Sequence, residues 1–247
     1  MAKGEKNVHA TNGLEFPRPL TTVDVAIFTV LEDSLRVLLV KRPDTVEEPF
    51  PGAWALPGGF VDVNRDDSLE ACARRKLTEK TGVETPYLEQ LGSWGGRNRD
   101  PRGWSATHVY FALIPSEDVV LEQGANATEA AWFGTKEAAE ATTLAFDHEA
   151  ILQAALTRLR NKVEYTSLPA YLLPDEFTLG ELQHMYEVVL ERPVEKSAFR
   201  TRILASGLVM PAGQKMREGP NRPAQLYRLN EPQHPVVFPR TFNPKRN

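Results

Sequence analysis

The chain has 247 residues, 41% hydrophobic and 25% charged, which suits a soluble protein of one large domain or two modest ones and excludes a collagen-like, disordered or disulfide-scaffold chain. Its single cysteine, Cys72, has no partner for an internal disulfide, which favours a reducing compartment. The net charge of −4 is uneven: residues 1–191 hold 18 Lys and Arg against 30 Asp and Glu, a net of −12, and residues 192–247 hold 11 against 3, a net of +8, which points to a nucleic-acid partner or a solvated basic tail.

The start, Met1 to Asn7, lacks the apolar core of a signal peptide, and the longest apolar stretch, around Val23 to Leu31, falls far below the roughly 18 residues that span a bilayer. A cytoplasmic protein with no membrane partner is expected. Thr22–Val30 (TVDVAIFTV) and Leu35–Lys41 (LRVLLVK) read as two strands joined by a turn. A Pro-rich loop, Pro43–Gly52, leads to Trp54–Val61 (WALPGGFV). A helix is predicted from about Asp67 to Thr81, with Asp66, Asp67 or Ser68 as N-cap and Gly82 as its stop, burying a stripe of Leu69, Ala73 and Leu77. Strands are expected at Tyr87–Trp94 and His108–Ile114 around a loop dense in Gly and Arg. A helix from about Asp147 to Lys162 would face inward with Ile151, Leu152, Ala155, Leu156 and Leu159. Without a strict βαβ alternation, this suggests an α+β sandwich.

Tyr165–Asp175, with Pro169 and Pro174, reads as a linker, and the boundary is placed between residues 1–164 and 165–247. Beyond it Thr178-Leu-Gly-Glu181 fits a capping box opening a helix with Leu179, Leu182, Tyr186, Val189 and Leu190 on its apolar positions. After Pro193 a second helix, about Glu195 to Ser206, turns Phe199 and Ile203 inward and ends at Gly207. Two short strands, near Leu208–Met210 and Ala224–Leu229, flank a loop carrying Lys215, Arg217 and Arg222. Two helices and a basic hairpin make a winged helix-turn-helix.

Gly58–Val83, GGFVDVNRDDSLEACARRKLTEKTGV, keeps the order Gly-Gly, acid, seven residues, Arg-x-Leu-x-Glu-x-x-Gly-hydrophobe and so resembles the signature of Nudix hydrolases. The resemblance covers roughly residues 20–162 and implies an α/β/α sandwich whose loop-helix-loop supplies carboxylates to Mg²⁺ or Mn²⁺ for pyrophosphate cleavage. The match is incomplete. Aligned on Gly82, Lys76 and Lys80 stand where the family has carboxylates, Glu79 remains, and the leading acid, Asp67, lies two residues too far from Gly59. A divalent cation is poorly held beside two lysines, so no metal and no catalytic residue is expected. Lys76 and Lys80 would instead stand in for the metal's charge and hold a pyrophosphate uncut. Arg75 and Glu79, at i and i+4, form an expected structural ion pair.

Gly92–Trp104, GSWGGRNRDPRGW, crowds Arg97, Arg99 and Arg102 around Asp100-Pro101. Arginine forks match phosphate geometry and Trp94 or Trp104 offers a stacking face, although a solvated loop has the same composition. Arg-Asp-Pro-Arg-Gly is similar to the segment at this place in Nudix-related regulators of NAD metabolism, whose pocket accommodates ADP-ribose. Arg42, Gly58, Gly59, Phe60, Arg75, Lys76, Glu79, Lys80, Arg97, Arg99 and Arg102 are the expected ligand-binding set.

Phe177–Leu229 resembles the C-terminal domain of the same regulators, the NrtR family, and the two resemblances together cover nearly the whole chain. Ser197, Arg200 and Thr201 would face away from Phe199 and Ile203, with Lys196 at the helix start and Arg202 on its flank, a set suited to base edges and phosphates in a major groove. Lys215, Arg217 and Arg222 would track the backbone from the wing. His184, with no Cys or His nearby in sequence, reads as a surface or packing residue. The resemblance implies a homodimeric repressor of NAD biosynthesis or salvage genes on a palindromic double-stranded operator, released by ADP-ribose or a related NAD-derived nucleotide and needing no cofactor. Two alternatives stay open: an active ADP-ribose pyrophosphatase with an accessory DNA-binding domain, and a winged helix that docks a protein.

Overall fold

β1 (Leu20–Leu31) and β2 (Ser34–Lys41) pair antiparallel through a two-residue turn, Glu32-Asp33, whose φ angles of 50° and 56° match the twist of the hairpin. In this computed structural model the described residues are 18–83, 87–116, 129–140, 143–214, 223–232 and 234–238. β3 (Trp54–Ala55), β4 (Gly58–Phe60), β5 (Tyr87–Asp100), β6 (Gly103–Leu113) and β7 (Glu129–Gly134) complete a 7-stranded sheet, ordered β3-β2-β1-β6-β5 with β4 beside β1 and β7 beside β2. β1 and β6 run parallel while the other pairs are antiparallel. β1 is buried on both faces, which is why its sequence is almost continuously apolar. Ala26, Phe28 and Val30 join one core, and Val23, Val25 and Ile27 join another with Cys72, Ala73 and Leu77 of α1 (Leu69–Thr81). α3 (His148–Val163) covers the opposite face through Ile151, Leu152, Ala155, Leu156 and Leu159. The expected α/β/α sandwich is present, with Ser68 as the α1 cap and Gly82 closing it at φ 68°.

Three local expectations differ. Gly92–Trp104 is not a loop but the far part of the β5–β6 hairpin, which turns at Pro101-Arg102 and accommodates its irregular composition in register shifts near Gln90 to Gly92 and Gly96 to Asp100. β7 and the short α2 (Thr135–Glu140), not anticipated, add to the edge of β2. Tyr165–Asp175 is not an exposed linker: Leu168–Leu172 form a buried 3-10 turn, with the Tyr171 ring 5.2 Å from Tyr87. Its prolines end regular structure without forcing it into water, because Leu168, Tyr171 and Leu172 have apolar surface to bury.

β8 (Phe177–Thr178), α4 (Leu179–Leu190), α5 (Lys196–Ala205), β9 (Val209–Gln214) and β10 (Gln225–Leu229) follow as a winged helix, with a 3-stranded sheet ordered β8-β10-β9. The capping box is formed: the Glu181 amide donates to Thr178 Oγ1 at 3.1 Å, and the Thr178 amide donates to Glu181 Oε2 at 2.7 Å. Leu182, Tyr186, Val189, Phe199 and Ile203 belong to the same hydrophobic cluster as α3 and the 3-10 turn. Polar contacts cross the same junction: Arg160 with Glu191 at 2.6 Å, Arg192 with Glu164 at 2.7 Å, and His184 with Asp33 at 2.8 Å.

Candidate ligand pocket and nucleic-acid interface

The Gly58–Phe60 strand lies against β1 because Gly58 carries no side chain there, and Gly59 leaves room for a lysine on α1. A Cβ on Gly58 would stand 1.9 Å from Asp24 Oδ1 and 2.7 Å from the Val23 carbonyl; Gly59 has φ 147° and faces the Lys76 ammonium, whose Nζ would be 3.0 Å from an added Cβ. The local sequence therefore sets a bare backbone between a buried acid and a buried-stem lysine. On α1, Lys76 Nζ is 4.0 Å from Glu79, and Lys80 is only 7% exposed. Burial pushes the Lys80 ammonium down, Glu79 opposes that, and the neighbouring Lys76 charge adds to it.

Arg75 has a stronger partner than the one its helical spacing suggests. Its Nε and Nη2 clasp Asp66 Oδ1 and Oδ2, each at 2.6 Å, while Nη1 reaches Glu79 at 3.1 Å. That bidentate bond holds the Asp66 carboxyl far below the usual carboxylate range. Asp66 is thus occupied, and Glu79 is shared among Arg75, Arg65 and Lys76. Among the described residues no three His, Cys, Asp or Glu side chains converge as a metal would require. Carboxylates committed to arginines beside two ammonium groups do not fit a divalent cation.

Behind Gly58 sits a cluster that sequence reasoning did not find. Asp24, 5% exposed in the middle of β1, accepts from Thr107 Oγ1 at 2.7 Å and from Arg99 Nη2 at 3.0 Å, with His148 Nε2 at 3.5 Å. The Leu56 amide donates to His148 Nδ1 at 2.9 Å, leaving Nε2 directed at Asp24. Burial by itself pushes the Asp24 carboxyl up, but His148, Thr107 and Arg99 outweigh it and hold it below the ordinary value. Arg99 also donates from Nε to Asp147, the N-cap residue of α3, at 3.1 Å. One signal was available: an aspartate inside the apolar run TVDVAIFTV has to find partners or destabilise the strand.

The expected arginines therefore divide. Arg99 is consumed by Asp24 and Asp147 and acts as a brace. Arg102 grips Asp100 with Nε at 3.0 Å and Nη2 at 2.8 Å and lies 5.0 Å over the Phe60 ring, which is 45% exposed. Arg42 bonds the Pro49 carbonyl at 2.7 Å and Glu48, and stacks 4.9 Å from Phe146. Arg97 is exposed on β5. Trp54 is edge-on to Phe133 at 4.8 Å and Trp94 packs against the core, whereas Trp104 is 50% exposed beside Gly95. Gly58, Gly59, Phe60, Lys76 and Arg102 form one rim; Arg42 and Arg99 meet on Phe146.

On the winged helix, Glu195 caps α5 by accepting from the Ser197 and Ala198 amides at 2.9 and 2.6 Å. Lys196, Ser197, Arg200 and Thr201 are exposed, and Phe199 and Ile203 are buried. Arg202 departs from the expected set: its guanidinium lies 4.5 Å over Phe238 and donates at 3.5 Å to the Glu164 carbonyl, toward the protein body. Lys215, Arg217 and Arg222 lie outside the described residues. His184 bonds Asp33, in keeping with a surface role.

Comparison with known proteins gives a consistent picture. The family described as the NrtR DNA-binding winged helix domain matches residues 169–229, and the NUDIX domain matches residues 20–155. The ADPR responsive transcriptional repressor NtrR of Acinetobacter baylyi is 47% identical over 233 residues, 94% of this chain and 91% of that protein. Shewanella oneidensis NrtR complexed with a 27mer DNA superposes with a TM-score of 0.77 at 42% identity, covering 86% of this chain and 94% of that one. The NUDIX domain of the same protein in complex with ADP ribose superposes with a TM-score of 0.50 at 41% identity, over 58% of this chain and 90% of that one.

Proposed function

Since the chain belongs to the NrtR family, which joins a Nudix domain to a DNA-binding winged helix, we propose that it is a transcriptional repressor of NAD biosynthesis or salvage genes. In this reading, ADP-ribose or a related NAD-derived nucleotide in the Nudix domain releases it from a palindromic operator. The observation that carries the proposal is the pairing, in one chain, of an exposed Lys196-Ser197-Arg200-Thr201 face on α5 with a Nudix box whose metal positions hold lysines. Half-site reading by a single short helix calls for a homodimer, and the chain acts in the cytoplasm beside the DNA it reads.

The pocket binds without cutting. Lys76 beside the Gly59 backbone and Lys80 one turn on supply positive charge to a pyrophosphate. Hydrolysis needs a cation to neutralise developing charge and activate water, and the carboxylates that would hold one are engaged by Arg75, Arg65 and Lys76. The pyrophosphatase reading predicts AMP release from ADP-ribose with Mg²⁺ or Mn²⁺; turnover at ordinary enzymatic rates would replace this proposal with that one.

The deciding experiment is a DNA-binding titration on upstream DNA at several salt concentrations, with ADP-ribose, NAD and related nucleotides added in turn. A sequence-selective, salt-dependent complex dissolved by one nucleotide is expected, and a protein-docking winged helix would give neither sequence preference nor salt slope. Arg200→Ala should lose the operator and keep the nucleotide, whereas Lys76→Glu should weaken nucleotide binding in metal-free buffer.

A further inference from the structure

The exposed face of α5 does not end with its polar residues. Leu204, 50% exposed, follows Arg200 by four residues and Ser197 by seven, so the three side chains stand above one another at one-turn intervals. Arg202, which composition alone would count with this face, is turned to Phe238 and the Glu164 carbonyl. What remains along the face is Lys196, Ser197, Arg200, Thr201 and then a leucine.

A single exposed leucine is ordinary on a protein surface. On a helix whose neighbours are suited to base edges, its chemistry is specific. The major groove presents donors and acceptors together with one apolar group, the C5 methyl of thymine. A cationic side chain or a serine gains little from that methyl, whereas a leucine removes it from water. Resting on the repressor reading above, we propose that Leu204 determines specificity by packing against a thymine methyl in each operator half-site, one helical turn beyond the base edge reached by Arg200. The alternative occupant is a second copy of this chain, which would make Leu204 indifferent to DNA sequence.

Deoxyuridine tests this directly, because it deletes the methyl and leaves every hydrogen-bonding edge in place. The full-length protein selects its binding sequence from a randomised DNA pool, and each thymine of that site is then replaced singly. One thymine per half-site is expected to weaken wild-type binding roughly fourfold when replaced, and roughly 15-fold when both half-sites are changed, from the transfer of one methyl per contact. Leu204→Ala should bind the thymine and deoxyuridine sites equally, while Leu204→Met, still apolar, should keep the difference. Equal weakening of wild type and Leu204→Ala, or no thymine that matters, would overturn the assignment while leaving the repressor intact. Selection of no sequence at all would instead overturn the repressor reading and this assignment with it.

Discussion

Arg99 separates two accounts of the pocket, one in which its fork is offered to ligand phosphates and one in which it is a buried brace. Its side chain is 5% exposed and sits between Asp24, equally hidden, and Asp147. Arg99→Met keeps much of the volume and removes the charge, leaving Asp24 with Thr107 and His148. Breaking a buried ion pair costs about 3–5 kcal/mol. The low end, about 3 kcal/mol, applies because His148 stays beside Asp24 and Asp147 is partly open to water. At roughly 2–4 °C per kcal/mol for a chain of this size, the melting temperature should fall by about 6–12 °C. The pH dependence gives a second reading. In the wild type Asp24 lies below its ordinary value, so its contribution is present above about pH 4 and is lost as pH falls through the folded value. In the variant Asp24 loses one of the effects that lower it while His148 and Thr107 remain, so it is lowered less than in the wild type. The part of the stability gap carried by Asp24 ionisation should therefore be fully present above about pH 4 and shrink as pH falls below it, which urea denaturation across that range reads. A loss under about 1 kcal/mol with nucleotide affinity abolished would refute the brace and return Arg99 to the ligand.

Gly58→Ala drives a Cβ to 1.9 Å from Asp24 Oδ1 and 2.7 Å from backbone, so a melting temperature close to wild type would contradict the packing of β4 on β1. Asp66→Asn removes the charged half of a bidentate bond to Arg75 and should cost about 1.5–3 kcal/mol near neutral pH. Because the Asp66 carboxyl is held far down, that difference persists above about pH 4 and shrinks below it, which acid titration of both proteins would check. Arg202→Ala should lower stability by about 1 kcal/mol through the lost Phe238 stack, yet leave operator affinity within about twofold; a tenfold loss would put Arg202 on the DNA.

Where regularity is local, the fold could be read from residues alone. The Thr178-Glu181 box, the Gly82 and Gly207 stops and the apolar stripes of α1, α3, α4 and α5 all lie within a few residues of the structure they specify. The Nudix box was visible for the same reason, since Gly59, Lys76 and Glu79 belong to one strand, loop and helix. What escaped was non-local. EAAWFG becomes β7 because β2 offers an edge from Arg36 to Lys41, and the arginine-rich RNRDPRG becomes a hairpin because β6 pairs with it and Asp100 ties down Arg102. The Asp24 cluster draws on β1, β5, β6 and the start of α3, and no spacing rule links those segments. Helical position puts Arg202 on the flank of the DNA-reading set, and nothing local shows that Phe238 lies beneath its guanidinium.

The buried 3-10 turn changes what a signal from the pocket has to do. Were Tyr165–Asp175 a free tether, the winged helix could swing while the body stayed still. Instead Asp147, the N-cap of α3, is in contact with Arg99, and the far part of the helix holds the winged helix through the Arg160–Glu191 pair, with Arg192 reaching Glu164 just beyond its end. The hydrophobic cluster runs without a break from Phe28 and Phe111 through Leu159 and Tyr171 to Tyr186, Phe199 and Ile203. Hinging the head away would expose much of that surface, and each large side chain uncovered costs about 1.5–3 kcal/mol. The head and α3 should therefore open together. In native-state hydrogen exchange of the full chain, the inner amides of α3 and α4 should share one opening free energy, and both should respond alike to Arg99→Met. If α4 exchanged through an opening several kcal/mol lower than α3, the head would be loosely attached, and α3 could not be the strut by which the pocket reaches the DNA.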